Sequence, residues 1–264
     1  MEREPGRAAR AGSEAVPGVL TGVVAVLVAA NVLNNRLAPR LAPLTSAAAT
    51  GALVVMARRS GLSWAELGFH RSSRGLRIGG ALASAVAGAY AAGIAVPATR
   101  GFFRDERALS LSSARALEEA LIQVPFGTVL LEEVGFRGVT HALVARSHGH
   151  GTATAVSSVL FGLWHILPAV DMTAANPALS GLVAPDAPGV PPGRGRAPAW
   201  RVARVVAGSV VTTGLAGVLF TELRRRGGLT APALFHIATN SLGYLFARLA
   251  PPEEPASGRE PPPR

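Results

Sequence analysis

The sequence predicts an all-α, polytopic transmembrane helical bundle of about seven spanning helices, with six to eight compatible with the pattern. Three observations predict it. Hydrophobic residues make up 49% of the 264, and charged residues only 16%, where a soluble domain carries roughly 25% charged. Mean hydropathy is positive, at +0.33. The apolar residues are also gathered into runs, and a spanning helix needs about 20 of them.

The expected helices follow in order. The first covers 16–33, behind a tail that mixes Glu2, Glu4 and Glu14 with arginines. A secretory leader would have a purely basic start and a small-residue cleavage site, so this reads as an uncleaved helix. The second covers about 41–56 and closes on Arg58 and Arg59; the third covers about 78–96. The fourth, about 116–146, is long and polar in places. The fifth covers about 152–167, the sixth about 202–219 and the seventh 229–246, where Pro232 falls in the first turn and is tolerated there. The resulting organisation is a charged tail over 1–15, a membrane-embedded domain over 16–250 and a Pro-rich tail over 251–264 expected to be disordered. Within the domain, about 168–201 is rich in Pro, Gly and Ala without a period and reads as an extramembrane loop.

Charge and cysteine content narrow the function classes. Net charge is +10, and every basic residue is arginine. These arginines stand in short clusters between apolar runs, where residues that set topology and meet anionic headgroups belong. No single basic patch of the nucleic-acid-binding kind emerges, so nucleic acid is not an expected partner. An N-terminus-inside orientation places the tail, the arginines of 58–77 and Arg224–Arg226 in the cytoplasm. The Ala/Arg/Gly/Pro bias suits a high-GC bacterial gene, hence a bacterial plasma membrane. With no cysteine, disulfides, thiolate catalysis and Cys-ligated zinc are excluded.

Three of the helices carry groups that apolar segments avoid. The fourth holds Glu132, Glu133 and Arg137, the fifth His165, the seventh His236 and Asn240. Ionisable groups in the hydrocarbon cost several kcal/mol each on insertion scales and mark function by default. Glu133 and Arg137 are four apart and can pair; His236 and Asn240 share that spacing. Phe161 stands one turn before His165. At 1.5 Å per residue, Glu132 lies roughly 21 Å in from Arg146, His165 roughly 20 Å in from Thr152, and His236 and Asn240 roughly 11 and 17 Å in from Leu229. Four polar residues from three helices thus reach one zone near the bilayer midplane. Any one alone reads as bundle glue: an interhelical bond for Asn240, a satisfied core histidine for His165, a structural pair for Glu133 and Arg137.

At these residues the chain resembles the CPBP intramembrane protease family, also called the Abi or CAAX-protease-like family. Its three motifs read here Glu132-Glu133-Val134-Gly135-Phe136-Arg137, Phe161-Gly162-Leu163-Trp164-His165 and His236-Ile237-Ala238-Thr239-Asn240. A weaker mark is Trp64-Ala65-Glu66-Leu67-Gly68-Phe69. The resemblance implies a membrane endopeptidase in which Glu132 and His165 activate water while His236 and Asn240 hold the oxyanion. Glu133, Arg137 and Phe161 would support them. It implies no cofactor, and peptide or protein substrates, membrane-anchored ones included, met within the lipid bilayer. Two other readings fit the residues. Glu132, His165 and His236 are enough for a zinc peptidase, although His-Glu-x-x-His is missing. A transporter or non-catalytic bacteriocin-immunity protein would use the carboxylates to carry protons or bind a partner.

Overall fold

The computed structural model describes residues 5–176, 178, 180–181 and 198–251. The distal tails and the middle of the 168–201 loop lie outside the described residues. Among the described residues every regular element is helical. α1 is Pro5–Val32, continued by a π-turn at Leu33–Leu37; α2 is Ala42–Arg59; α3 is Ser72–Ala95. Short helical turns at Pro97–Arg100, Gly101–Phe103 and Glu106–Leu109 lead into a long helical run that starts at Ser113.

That run continues unbroken through Thr140 into the stretch His141–Trp164, where Gly149 stands at φ 79, ψ 167. A positive φ of this kind suits glycine, and the chain reverses there. Ser157 donates to the Phe136 carbonyl at 2.8 Å, and Trp164 reaches Glu132 at 2.8 Å. Both pairs bracket Gly149, the signature of two antiparallel arms. The arm before Gly149 is α4 (113–148) and the arm after it α5 (150–164). α6 is Ile166–Ala175, α7 is Ala199–Gly227 and α8 is Thr230–Leu249. The irregular loop expected from Pro168 therefore begins as helix: α6 extends α5 past a break at His165 (φ −83, ψ 2).

Five stretches are long and apolar enough to cross a membrane: Gly18–Leu37, Pro39–Arg59, Ser72–Ala95, Ser113–Met172 and Ala199–Gly227. Because the fourth doubles back at Gly149, they supply six arms, and α8 packed along α3 makes a seventh. The distribution of polarity is inside-out. Leu44 is 70% exposed and Leu215 68%, whereas Glu132, Glu133 and Arg137 are 3%, 2% and 1% exposed. In water such apolar exposure would drive association; in hydrocarbon it is the favourable surface, and the buried backbone satisfies itself through helices.

Small residues let the arms approach. A side chain at Gly75 would meet the Gly227 carbonyl, and one at Gly79 would meet Leu234 Cβ at 2.8 Å, so this glycine pair seats α3 against α8. Gly162 and Gly217 do the same between α5 and α7. The turn from α7 to α8 uses Gly228 at φ 63, and Leu229 N–H then donates to the Gly68 carbonyl at 2.9 Å. The Trp64–Phe69 stretch is thereby docked on the junction that launches α8.

Candidate active site

α4 is not a regular α-helix where it carries the site. Glu119–Val129 is π-helical around Pro125, which has no N–H to give to the ladder. A single α-turn, Leu130–Glu132, separates it from a second π segment, Glu133–Thr140. π-turns inside membrane helices recur at functional sites because they re-aim the side chains that follow. Here Glu132 closes the α-turn and Glu133 opens the π-turn.

The two glutamates converge on one imidazole. His236 Nδ1–H donates to Glu133 Oε1 at 2.8 Å, while His236 Nε2 lies 3.6 Å from Glu132 Oε2. Trp164 Nε1–H donates to Glu132 Oε1 at 2.8 Å. Glu132 Oε2 and Glu133 Oε2 are buried and accept no hydrogen bond among the described residues. So Glu132 is anchored by one oxygen and presents the other.

Arg137 pairs with Glu133 as the four-residue spacing allows, though not through a hydrogen bond. Its Nη1 is 3.6 Å from Glu133 Oε1, beyond hydrogen-bond length, and its guanidinium carbon lies 3.7 Å from the Phe161 ring centroid and 4.8 Å from that of Phe220. Two aromatic faces share its charge. Phe161 is thus a platform: it also meets His165 edge-on at 4.6 Å, Phe136 at 5.4 Å and His236 at 6.1 Å.

His165 occupies the turn between α5 and α6. Its Nδ1 is 2.8 Å from the Phe161 carbonyl. A carbonyl only accepts, so Nδ1 carries the proton, and in the neutral ring Nε2 is an acceptor. Glu132, His236 and Arg137 act on it electrostatically, yet no hydrogen bond or ion pair joins it to Glu132 among the described residues. Asn240, half-buried and one turn beyond His236 on α8, makes no hydrogen bond to this cluster. The structure therefore assembles Glu132, Glu133, Arg137, Phe161 and His236 in direct contact. It sets His165 beside them and leaves Asn240 on the same helix without a bond to them.

Two participants escaped the sequence reading. Trp164 lies inside the second motif but looks like one more apolar residue; only a tryptophan N–H in a lipid-facing helix, needing a partner, hinted at its role. Phe220 gives no sequence signal. A third group, Asn31 of α1, donates to the Trp164 carbonyl at 2.8 Å and braces that residue from outside the motifs.

No group of three or more His, Cys, Asp or Glu side chains that could hold a metal ion is found among the described residues. The family model described as type II CAAX prenyl endopeptidase, Rce1-like, matches residues 119–242. Residues 119–242 form an Rce1-like domain. That span starts with the first π segment of α4 and ends within α8, so it takes in every member of the cluster above except Asn31. The Rce1-like domain is a protease domain, which makes peptide-bond hydrolysis the reaction class, a peptide or protein the substrate class and the chain an integral membrane protein. No curated protein and no solved structure matches the chain.

Proposed function

We propose that this protein is an intramembrane glutamic endopeptidase whose water is activated by Glu132 with His165. The observation that carries this reading is the state of Glu132: a carboxylate 3% exposed, fixed through one oxygen by Trp164, with the other oxygen free. Such a group is positioned as a base rather than neutralised as a structural ion. His165 Nε2 accepts no hydrogen bond among the described residues, so both it and Glu132 Oε2 are open to a shared water. Glu132 Oε2 and His165 Nε2 would accept the two O–H bonds of that water and turn its lone pair toward a carbonyl carbon.

Hydrolysis then follows. Glu132 takes a proton as the water oxygen bonds to the carbonyl carbon, giving a tetrahedral oxyanion. Collapse of that intermediate breaks the C–N bond, and the proton held by Glu132 passes to the leaving amine. With both ring nitrogens protonated and Nδ1–H engaged by Glu133, His236 would turn Nε2–H toward the oxyanion, and Asn240, one turn on, would add a second donor. Glu133 and Arg137 act as positioning residues for His236. No cofactor is required by this scheme. Substrates reach the site from the bilayer, as membrane-anchored or helical segments. The arginines of the 58–77 region and of Arg224–Arg226 share one end of the bundle, where Arg71 donates to the Arg225 carbonyl at 3.1 Å. That end faces the cytoplasm of a bacterial plasma membrane under the positive-inside rule, with the N-terminus inside.

The test is cleavage of a quenched peptide library by the detergent-solubilised protein, with no ion gradient present. Cleavage that persists after dialysis against a strong chelator and drops by at least a hundredfold in Glu132→Gln is the expected result. Loss of activity on chelation with recovery on adding zinc would replace the glutamate mechanism by a metal one. No cleavage in either protein would favour a transport or immunity role.

A further inference from the structure

At the arginine-rich end of the bundle, away from the hydrolytic cluster, a cavity of about 300 Å³ opens between the 60–71 loop, the end of α4, the start of α5 and the end of α7. Glu66, His70, His141, Arg146, His150 and Arg224 line it. A second cavity of about 230 Å³ adjoins it and shares His141, His150 and Arg224. Its carboxylates are already committed. Glu66 accepts from Arg146 at 2.7 Å and from Ser63, and Glu222 from Arg225 and Arg226.

The buried cation is not. Arg224 is 8% exposed and forms no ion pair among the described residues; it donates to the Glu66 backbone carbonyl, and its Nε has no partner. His141, 3% exposed, stacks on His150 at 5.7 Å and leaves Nδ1 unpartnered. A buried guanidinium without a counter-charge is costly, and two unpartnered buried polar groups lining one cavity ask for the same kind of ligand. Burial first, and then Arg224 and Arg71, push the His70 pKa below its ordinary value.

We propose that this cavity binds the phosphate of an anionic phospholipid from the adjoining leaflet, with Arg224, His141 and His150 as the phosphate-holding residues. The lipid source follows from the rim. Trp64 and Phe69, 51% and 46% exposed, pack edge-on at 5.4 Å beside the cavity, and Arg58 lies over the Trp64 ring at 5.1 Å. Exposed aromatics of this kind sit at headgroup level. The loop, the α4–α5 hairpin and the α7–α8 turn all end at this surface, where basic residues attract anionic lipid. The proposal is independent of the hydrolytic mechanism.

The test uses the full chain in neutral detergent, titrated calorimetrically with dihexanoyl phosphatidylglycerol, inorganic phosphate and a peptide with a free C-terminal carboxylate. The short-chain lipid should bind at least tenfold more tightly than inorganic phosphate, which competes with it. His150→Ala and Arg224→Lys should each weaken lipid binding at least tenfold, while Arg74→Gln, at the same end but outside the cavity, changes it less than twofold. Where Arg224→Lys does not fold, the exposed His150 decides alone. Unchanged lipid affinity in His150→Ala, equal affinity for lipid and inorganic phosphate, an equal loss in Arg74→Gln, or saturation by the carboxylate peptide alone would each overturn the proposal.

Discussion

Glu132 and Glu133 are chain neighbours held by different partners, and their replacements should behave differently. Glu132 accepts from the Trp164 indole, so Trp164→Phe removes that bond and leaves the ring volume largely filled. The carboxylate then loses its orientation but keeps its charge. Cleavage should fall at least tenfold and the melting temperature should drop, since a buried carboxylate oxygen left without its donor costs about 1–3 kcal/mol. Comparing kcat and thermal unfolding of the variant with the parent checks this. Glu133→Gln should cost more stability. It leaves Arg137, 1% exposed, without its nearest carboxylate, and breaking a buried pair from one side costs about 3–5 kcal/mol. Adding Arg137→Gln should recover part of the lost melting temperature, because the stranded charge is gone. The Phe161 and Phe220 faces that cushion Arg137 argue for partial rather than complete loss in the single variant. No loss of melting temperature in Glu133→Gln would mean that the two rings alone hold the guanidinium.

At the scale of elements, the site depends on how closely α8 approaches its neighbours, since α8 brings His236. Gly75 and Gly79 of α3 form the contact. A Cβ at Gly79 would stand 2.8 Å from Leu234 Cβ and 3.0 Å from the Ala231 carbonyl, both parts of α8 that cannot step aside. Next to it, Gly80 has nothing within 4 Å. Gly79→Leu should therefore destabilise by about 1–3 kcal/mol, the usual range for overpacking, and lower cleavage by displacing His236 from the glutamates. Gly80→Leu, one residue away, should leave the unfolding temperature and activity within error. Unfolding curves in one detergent for the two variants settle the matter, and equal effects would refute the packing argument.

For the molecule as a whole, the 60–71 loop ties two arms together: Arg146 at the end of α4 donates to the Ser60 and Gly61 carbonyls, and Arg224 of α7 to that of Glu66. Glu66 is the loop's acid-sensitive member. The Ser63 backbone N–H, the Ser63 hydroxyl and the Arg146 guanidinium hold its pKa at about 2, against an ordinary 4.5. A depressed carboxylate stabilises the fold above its unfolded value and loses that contribution as pH falls through the folded one. Wild type should thus melt higher than Glu66→Gln above pH 4.5, and the two curves should merge as pH falls toward about 2. Melting temperatures measured across that range test it; a gap that stays constant down to the lowest pH would show that Glu66 acts through packing alone.

The sequence by itself determined the class of fold and the zone of the chemistry, because both follow from one cost. Apolar runs of spanning length must enter the bilayer, and within them ionisable groups survive only where function or pairing compensates. Glu132, Glu133, Arg137, His165 and His236 stand out on that ground before any contact is known. Only the tertiary structure decided who holds whom. A regular helix separates Glu132 and Glu133 by about 100°, which suggests separate environments; the π-turn that opens at Glu133 and the position of α8 bring both to the two nitrogens of His236. The spacing of Glu133 and Arg137 allowed the pair that forms, but it could not show that the rings of Phe161 and Phe220 share the guanidinium. Phe220 was invisible in the pattern, because an apolar residue in an apolar run carries no signal until its neighbour across the bundle is known; Trp164 and Asn31 carry polar groups, but their positions in the chain do not say which partner those groups meet. The break at His165 and the helix beyond it were hidden likewise: a Pro- and Ala-rich stretch is compatible with loop or helix, and packing against the rest of the bundle makes the choice.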